Sequence, residues 1–180
     1  MPEDLRDRAY EDHPLPIGRG QTISQPFTVA FMCEALRLRG PEKVLEIGTG
    51  RGYGAAVLSL LARQVHSIEI IPDLAESARE RLKRLGFSNV VVHTRDGTFG
   101  LPGEAPFDAI AVTAGAESLP WAFLDQLADG GRLVIPLGIP PEGKKLHCFT
   151  RKAGRITIED LGGFVFVPLR GAGLASFPDL

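Results

Sequence analysis

Val44-Leu45-Glu46-Ile47-Gly48-Thr49-Gly50-Arg51-Gly52 is the stretch on which the fold turns. Its first four residues read as a short buried strand, and the rest as a glycine-rich turn. Ala55, Leu58 and Ala62 then fall on one side of a helix. Downstream, Val65 to Ile70 reads as a second strand, and Pro72-Asp73 opens a helix. Its inner face is Ala75, Ala78, Leu82 and Leu85, and Gly86 is its left-handed cap. Val90 to Val92 and Asp108 to Thr113 supply strands three and four. A helix is expected from Pro120, with Ser118 before it, to Gly130-Gly131, and Arg132 to Ile135 is strand five. Upstream, Val29, Met32, Cys33 and Leu36 share one helical face, stopped by Gly40-Pro41. About twenty-five irregular residues precede that helix.

Beyond Gly138 the alternation ends. Lys145 to Arg151 and Phe164 to Leu169 look like two strands with no full helix between them. Helical crossovers imply a parallel sheet, and a strand pair without one implies an antiparallel edge. The expected architecture is α/β and Rossmann-like: a mostly parallel seven-stranded sheet closed by an antiparallel C-terminal hairpin. It is read as one domain over residues 1–180, with 1–26 facing the ligands and 27–171 as the core. The tail from Ala172 carries no pattern.

Bulk properties narrow the function. With 180 residues, 44% hydrophobic and 23% charged, the chain has ordinary globular composition. Its formal charge is −2, and its Lys and Arg residues are interleaved with acids, as in Glu76, Arg79, Glu80 and Arg81. Nucleic-acid binding needs a dense basic footprint, so no nucleic-acid partner is expected. Cys33 and Cys148 are far apart and read as buried thiols; the four histidines form no ligand spacing, and no metal is assigned. The N-terminus has no apolar signal core, and no apolar run is long enough to span a bilayer. A cytoplasmic protein without a membrane partner is expected. Without a long heptad pattern it is read as a monomer. Trp121 and Phe123 are read as packing residues.

Ligands of such sheets bind at the carboxyl ends of the strands, so the polar residues collected there define the pocket. Glu46 and the glycine loop end strand one; Glu69 ends strand two, 23 positions after Glu46, within reach of a ribose diol. Asp96-Gly97 follows strand three, and Thr113-Ala114-Gly115 ends strand four. Gly50-Arg51-Gly52-Tyr53-Gly54-Ala55 also satisfies a permissive dinucleotide pattern. Glu46 would repel a pyrophosphate but attract the ammonium group of S-adenosyl-L-methionine. Asp96 can accept from an adenine amino group, and the antiparallel ending is unlike a dinucleotide half-domain. S-adenosyl-L-methionine is therefore the expected cofactor, with a nicotinamide oxidoreductase as the last alternative.

The acceptor is indicated by Tyr10-Glu11-Asp12-His13-Pro14-Leu15-Pro16-Ile17-Gly18-Arg19-Gly20-Gln21-Thr22-Ile23-Ser24-Gln25-Pro26. This run closely resembles the signature of the protein-L-isoaspartate (D-aspartate) O-methyltransferases. The resemblance continues through Val44 to Gly50, Ser67-Ile68-Glu69, Ala105 to Ile110, Gly130 to Val134 and Phe166-Val167-Pro168-Leu169. It implies methyl transfer to the free carboxylate of isoaspartyl or D-aspartyl residues in damaged proteins, giving an ester that collapses to a succinimide. It assigns Ser24 to the catalytic position and Thr22, Ile23 and Ser24 to the cofactor and substrate rim. It also places Glu46, Gly48, Thr49, Gly50, Glu69, Ile70, Asp96 and Gly97 at the cofactor. Ser24 precedes a helix opening near Pro26, where its hydroxyl and free N–H groups can hold a carboxylate oxygen.

Three departures stand out. The family carries further helical sequence ahead of the Tyr10 region. Arg95 stands where the family has glycine, and Arg51 replaces a commonly small residue. They motivate methylation of another peptide or a small acid; a binding protein without turnover is a further alternative.

Overall fold

The computed structural model describes residues 3–139 and 143–174. A 3-10 turn over Glu3–Arg8 leads into a hairpin of β1 (Leu15–Gly18) and β2 (Gln21–Ile23), then α1 (Pro26–Leu36). Where irregular chain was expected, Leu15 and Ile17 are 3% and 1% exposed, so a small hairpin is pinned to the body by two aliphatic anchors. The alternation then runs β3 (Lys43–Ile47), α2 (Tyr53–Leu61), β4 (Gln64–Glu69), α3 (Pro72–Arg84), β5 (Val90–Thr94) and β6 (Phe107–Val112). It closes with α4 (Trp121–Asp125), β7 (Leu127–Leu137), β8 (Lys144–Lys152) and β9 (Arg155–Phe164).

The seven-stranded sheet has the order β5-β4-β3-β6-β7-β8-β9. The first five strands are parallel, and β8 and β9 each pair antiparallel to their predecessor. Side chains alternate across the pleat. Leu45 and Ile47 of β3 therefore join Ile68, Phe107, Ile110 and Leu133 on one face. Val44 meets Met32, Cys33 and Leu36 of α1 and Leu58 of α2 on the other. Each such aliphatic side chain, fully buried, contributes about 1.5–3 kcal/mol. Both cysteines are buried free thiols, as expected. Among the described residues no helix is long and apolar enough to cross a membrane.

Several boundaries differ from the sequence reading. The first helix stops at Leu36, before Gly40, because Arg37 adopts φ 51° and its N–H turns back to Glu34 O at 2.9 Å. Gly86 closes α3 at φ 82°, but Leu85 is 61% exposed and lies outside the inner face. The fourth helix is one short turn ending at Asp125. Leu127 is claimed by pairing with Phe107, so β7 begins where helix was expected to continue. The last strand is β9, not Phe164 to Leu169. Ala153 and Gly154, at φ 50° and 75°, form a two-residue hairpin turn that brings Arg155 straight back beside Lys152. Residues 165–169 instead cross the top of the sheet, with an isolated bridge Gly115↔Pro168 and Leu169 packed into the core. Trp121 is 60% exposed, so only Phe123 of that pair is a packing residue. Of the tail, Ala172–Leu174 forms a 3-10 turn, and residues 175–180 lie outside the described part.

Candidate active site

Strand β3 is followed in the chain by its neighbour β4 on one side, while β6 flanks it on the other, so the connections leaving their carboxyl ends diverge. A cleft opens there. Its floor is Ile47, Gly48, Gly50, Ile68, Thr113 and Ala114; Ile17, Gln21 and Thr22 of the hairpin form one wall, and Val167 to Arg170 the opposite one. The first loop hugs the floor because a side chain has no room. Gly48 has φ 103°, and a Cβ there would run into the Thr113 hydroxyl, which itself donates to Gly48 O at 2.9 Å. A Cβ on Gly97 would stand 2.8 Å from Ile47 Cγ2.

Glu69, 6% exposed at the end of β4, accepts Gly50 N at 2.8 Å through Oε2 and Ile71 N at 3.0 Å through Oε1. A carboxylate has about four acceptor positions, so each oxygen keeps one for a hydroxyl in the cleft. Ile70, 39% exposed, and Ile71 extend this side of the cleft as an apolar surface fit for a planar base. Of the residues singled out from sequence, Thr22, Gly48, Gly50, Glu69, Ile70 and Gly97 thus line one cleft.

Glu46 lies elsewhere. By the two-residue pleat it points with Val44, behind the glycine loop, into a small pocket of Val29, Met32, Cys33, Leu36 and Leu58. It is 1% exposed, and its Oε2 accepts Ser67 Oγ at 2.5 Å. Ser67 Oγ in turn meets Thr49 Oγ1 at 2.5 Å. Burial pushes its carboxyl up to about 8; the Ser67 hydrogen bond opposes this, and nearby Glu69 adds to it. Glu46 and Thr49 therefore brace the loop from below; Glu46 lines this apolar pocket and is not among the residues lining the cleft.

Asp96 is also engaged. Its Oδ1 accepts Thr98 N at 2.9 Å and Thr98 Oγ1 at 2.6 Å, and its Oδ2 accepts Ala172 N at 2.7 Å. Burial raises this carboxyl, but the hydrogen bonds from Thr98 and Ala172 outweigh it and hold the group below its ordinary value. Asp96 thereby ties the chain after the C-terminal wall to the loop carrying Gly97.

At the hairpin end, Ile23 pairs with Leu15, and Ser24 is half-buried in the link to α1. Pro26 is in the first turn as expected; the cap position is Gln25, whose side chain makes no capping bond. The first-turn N–H groups next to Ser24 are thus without a side-chain cap. Arg95 is exposed, and Arg51 donates to Ile17 O at 3.2 Å, fastening the hairpin to the glycine loop.

Sequence reasoning did not place Ile17, Gln21, Ile71 or Val167 to Arg170 in the site; Thr113 and Ala114, collected at the end of the fourth strand, do line it. The Val167-Pro168-Leu169 wall is set by Gly115 N donating to Val167 O and Leu169 N to Gly115 O, both at 2.8 Å. The only signal for it was the Phe166 to Leu169 resemblance. His66 and His93, distant in sequence, meet across β4 and β5 with Nδ1 and Nε2 3.1 Å apart. Burial lowers both imidazoles. Among the described residues no cluster of three His, Cys, Asp or Glu could hold a metal.

Comparison with known proteins agrees with this geometry. Residues 1–173 match the family model described as protein-L-isoaspartate(D-aspartate) O-methyltransferase. A protein-L-isoaspartate O-methyltransferase 2 of Marinobacter nauticus is 56% identical over 172 residues, covering 95% of this chain and 78% of that protein. A solved protein-L-isoaspartate O-methyltransferase superposes with a TM-score of 0.84 at 32% identity, over 93% of this chain and 55% of that one. Another, from Plasmodium falciparum in complex with S-adenosyl-L-homocysteine, has a TM-score of 0.79 at 28% identity, covering 89% and 81% of the two chains. A match running through hairpin, loop and cleft wall alike places the chain in the protein-L-isoaspartate (D-aspartate) O-methyltransferase family.

Proposed function

We propose that this protein transfers a methyl group from S-adenosyl-L-methionine to the free carboxylate of L-isoaspartyl or D-aspartyl residues in damaged proteins, starting repair through a succinimide. The observation that carries the reading is the position of the Gln21-Thr22-Ile23-Ser24 run. It leads from the wall of the cleft towards the open first turn of α1, within a family match over residues 1–173. The cleft fits the cofactor: Gly48 and Gly97, where a Cβ would collide with Thr113 and Ile47, line it with bare backbone, and Glu69 offers acceptors for a diol. When bound, the cofactor supplies an electrophilic methyl group on its sulfonium.

The chain's own part is then positioning. A substrate carboxylate is ionised at neutral pH, so no general base is required. Ser24 and the first-turn N–H groups of α1 hold one carboxylate oxygen and leave the other directed into the cleft. Glu69 orients the ribose, Gly97 and Ile70 take the adenine, and Thr22 and Ile23 form the rim. Gly48, Thr49 and Gly50 shape the floor, with Glu46 supporting them from behind. Asp96 keeps a role at the adenine end through Gly97. The same reading takes residues 1–180 as one domain, with 27–171 as its core and 1–26 facing the ligands. It takes the protein to act in the cytoplasm as a monomer, without membrane or nucleic acid; dispersed charge and a net value of −2 support the last of these.

Transfer of labelled methyl to an isoaspartyl peptide, with the normal aspartyl peptide as control, tests the reading. Selective labelling is expected, and Ser24→Ala should lower kcat by about 100-fold while weakening the cofactor far less. Cofactor binding without labelling of the isoaspartyl peptide would sink it.

A further inference from the structure

Gln21 Nε2 is buried from solvent and has no hydrogen-bond partner among the described residues. Buried donors in folded proteins are nearly always satisfied, so an orphaned one on the wall of a ligand cleft calls for an acceptor brought by the ligand. The hairpin fixes where that donor is. Gln21 pairs with Gly18 across the turn, next to Ile17, whose Cδ1 would stand 3.2 Å from a Cβ on Gly50. Gln21 therefore stands on the wall that meets the glycine loop, in the cleft that Glu69 also lines.

The parts of the cofactor make different demands. Its ribose hydroxyls are met by Glu69, which only accepts. Its amino-acid arm ends in an ionised carboxylate, which needs donors. Four side chains lining the cleft can donate: Gln21, Thr22, Thr113 and Arg170. The Thr113 hydroxyl already points at Ile47 O and Gly48 O, and Arg170 is exposed on the opposite wall. Thr22 is exposed at the rim. We infer that Gln21 is a cofactor-binding residue, its Nε2 donating to the carboxylate of the S-adenosyl-L-methionine amino-acid arm. The inference rests on the methyltransferase reading above and adds the residue that recognises that arm. A neutral amide suits this place: a cation there would be drawn to Glu69, and an acid would repel the ligand.

The test uses calorimetry with two ligands that do not react, S-adenosyl-L-homocysteine and 5′-methylthioadenosine, the second lacking the amino-acid arm. Gln21→Met removes the donor at similar length, and Gln21→Glu replaces it with an acceptor. Expected are a loss of about ten-fold in S-adenosyl-L-homocysteine affinity for Gln21→Met and a larger one for Gln21→Glu. Affinity for 5′-methylthioadenosine should stay within two-fold. The ligand-free Tm of Gln21→Met should be unchanged or higher, because an unsatisfied donor has been removed. Equal loss for both ligands, unchanged affinity, or a rise only in the peptide KM would overturn the assignment. So would a lower ligand-free Tm with binding intact, which marks a structural amide. Failure of the unaltered protein to bind S-adenosyl-L-homocysteine would instead count against the methyltransferase reading.

Discussion

Glu46 carries the largest electrostatic consequence of any single residue here. Its carboxyl is raised from the ordinary 4.5 to about 8, chiefly by burial. Between those values the folded protein keeps a proton that the unfolded chain releases. The unfolded state thus binds fewer protons, and stability falls as pH rises from 4.5 to about 8, then levels off. Glu46→Gln keeps the shape and an acceptor for Ser67 but removes the titration. Its urea stability should therefore gain on the unaltered protein between pH 5.5 and 8; parallel pH profiles would refute a protonated Glu46. Because Glu46 faces Cys33 and Leu58 rather than the cleft, the same variant should bind S-adenosyl-L-homocysteine within about three-fold of the original. An ammonium contact would cost more. The strand pleat explains the placement: Ile47 lies over the cleft, so its neighbour Glu46 must point to the opposite face.

Elements other than strands and helices complete the cleft. The turn over Ala172–Leu174 is held by Asp96 through Ala172 N, and by Thr98 Oγ1 through Gly173 N at 2.9 Å. This strap anchors the wall formed by Val167 to Arg170. Asp96→Ala should speed amide hydrogen exchange at residues 172 and 173 and weaken S-adenosyl-L-homocysteine about five-fold or more, without altering exchange in β3 or β6. Unchanged exchange at 172 and 173 would show that the strap is held by other contacts. Since the Asp96 carboxyl lies below its ordinary value, its contribution is present above that value and is lost as pH falls through the depressed one. The segments misread from sequence are also of this kind. Strand β9 is exposed along most of its length and has no apolar run, so its pairing with β8 is set by the Ala153-Gly154 turn. Helix α4 is cut short because Leu127 gains a strand partner in Phe107.

The whole molecule is a floor of parallel strands with a ligand cleft bounded by two segments far apart in sequence: the hairpin of residues 15–23 and the crossing segment 167–170. A ligand gripped by both walls stabilises the folded state alone. Saturating S-adenosyl-L-homocysteine, at about 100 times Kd, should therefore raise Tm by roughly 5–10 °C, whereas NADH should leave it unchanged. Scanning fluorimetry with both ligands checks this, and a shift with NADH alone would revive the dinucleotide reading. The strand–glycine–helix alternation, the acid at the end of β4 and the Gln21 to Ser24 run were legible in the chain itself. Periodicity and turn chemistry are local, and an acid following a strand must lie at the sheet's carboxyl edge. What only the tertiary structure decided was direction and distant pairing: that Glu46 turns into an apolar pocket, that Asp96 is claimed by Ala172, and that Val167 to Arg170 forms the second wall. Those contacts join residues far apart in the chain, and packing and hydrogen-bond satisfaction across the folded sheet select them.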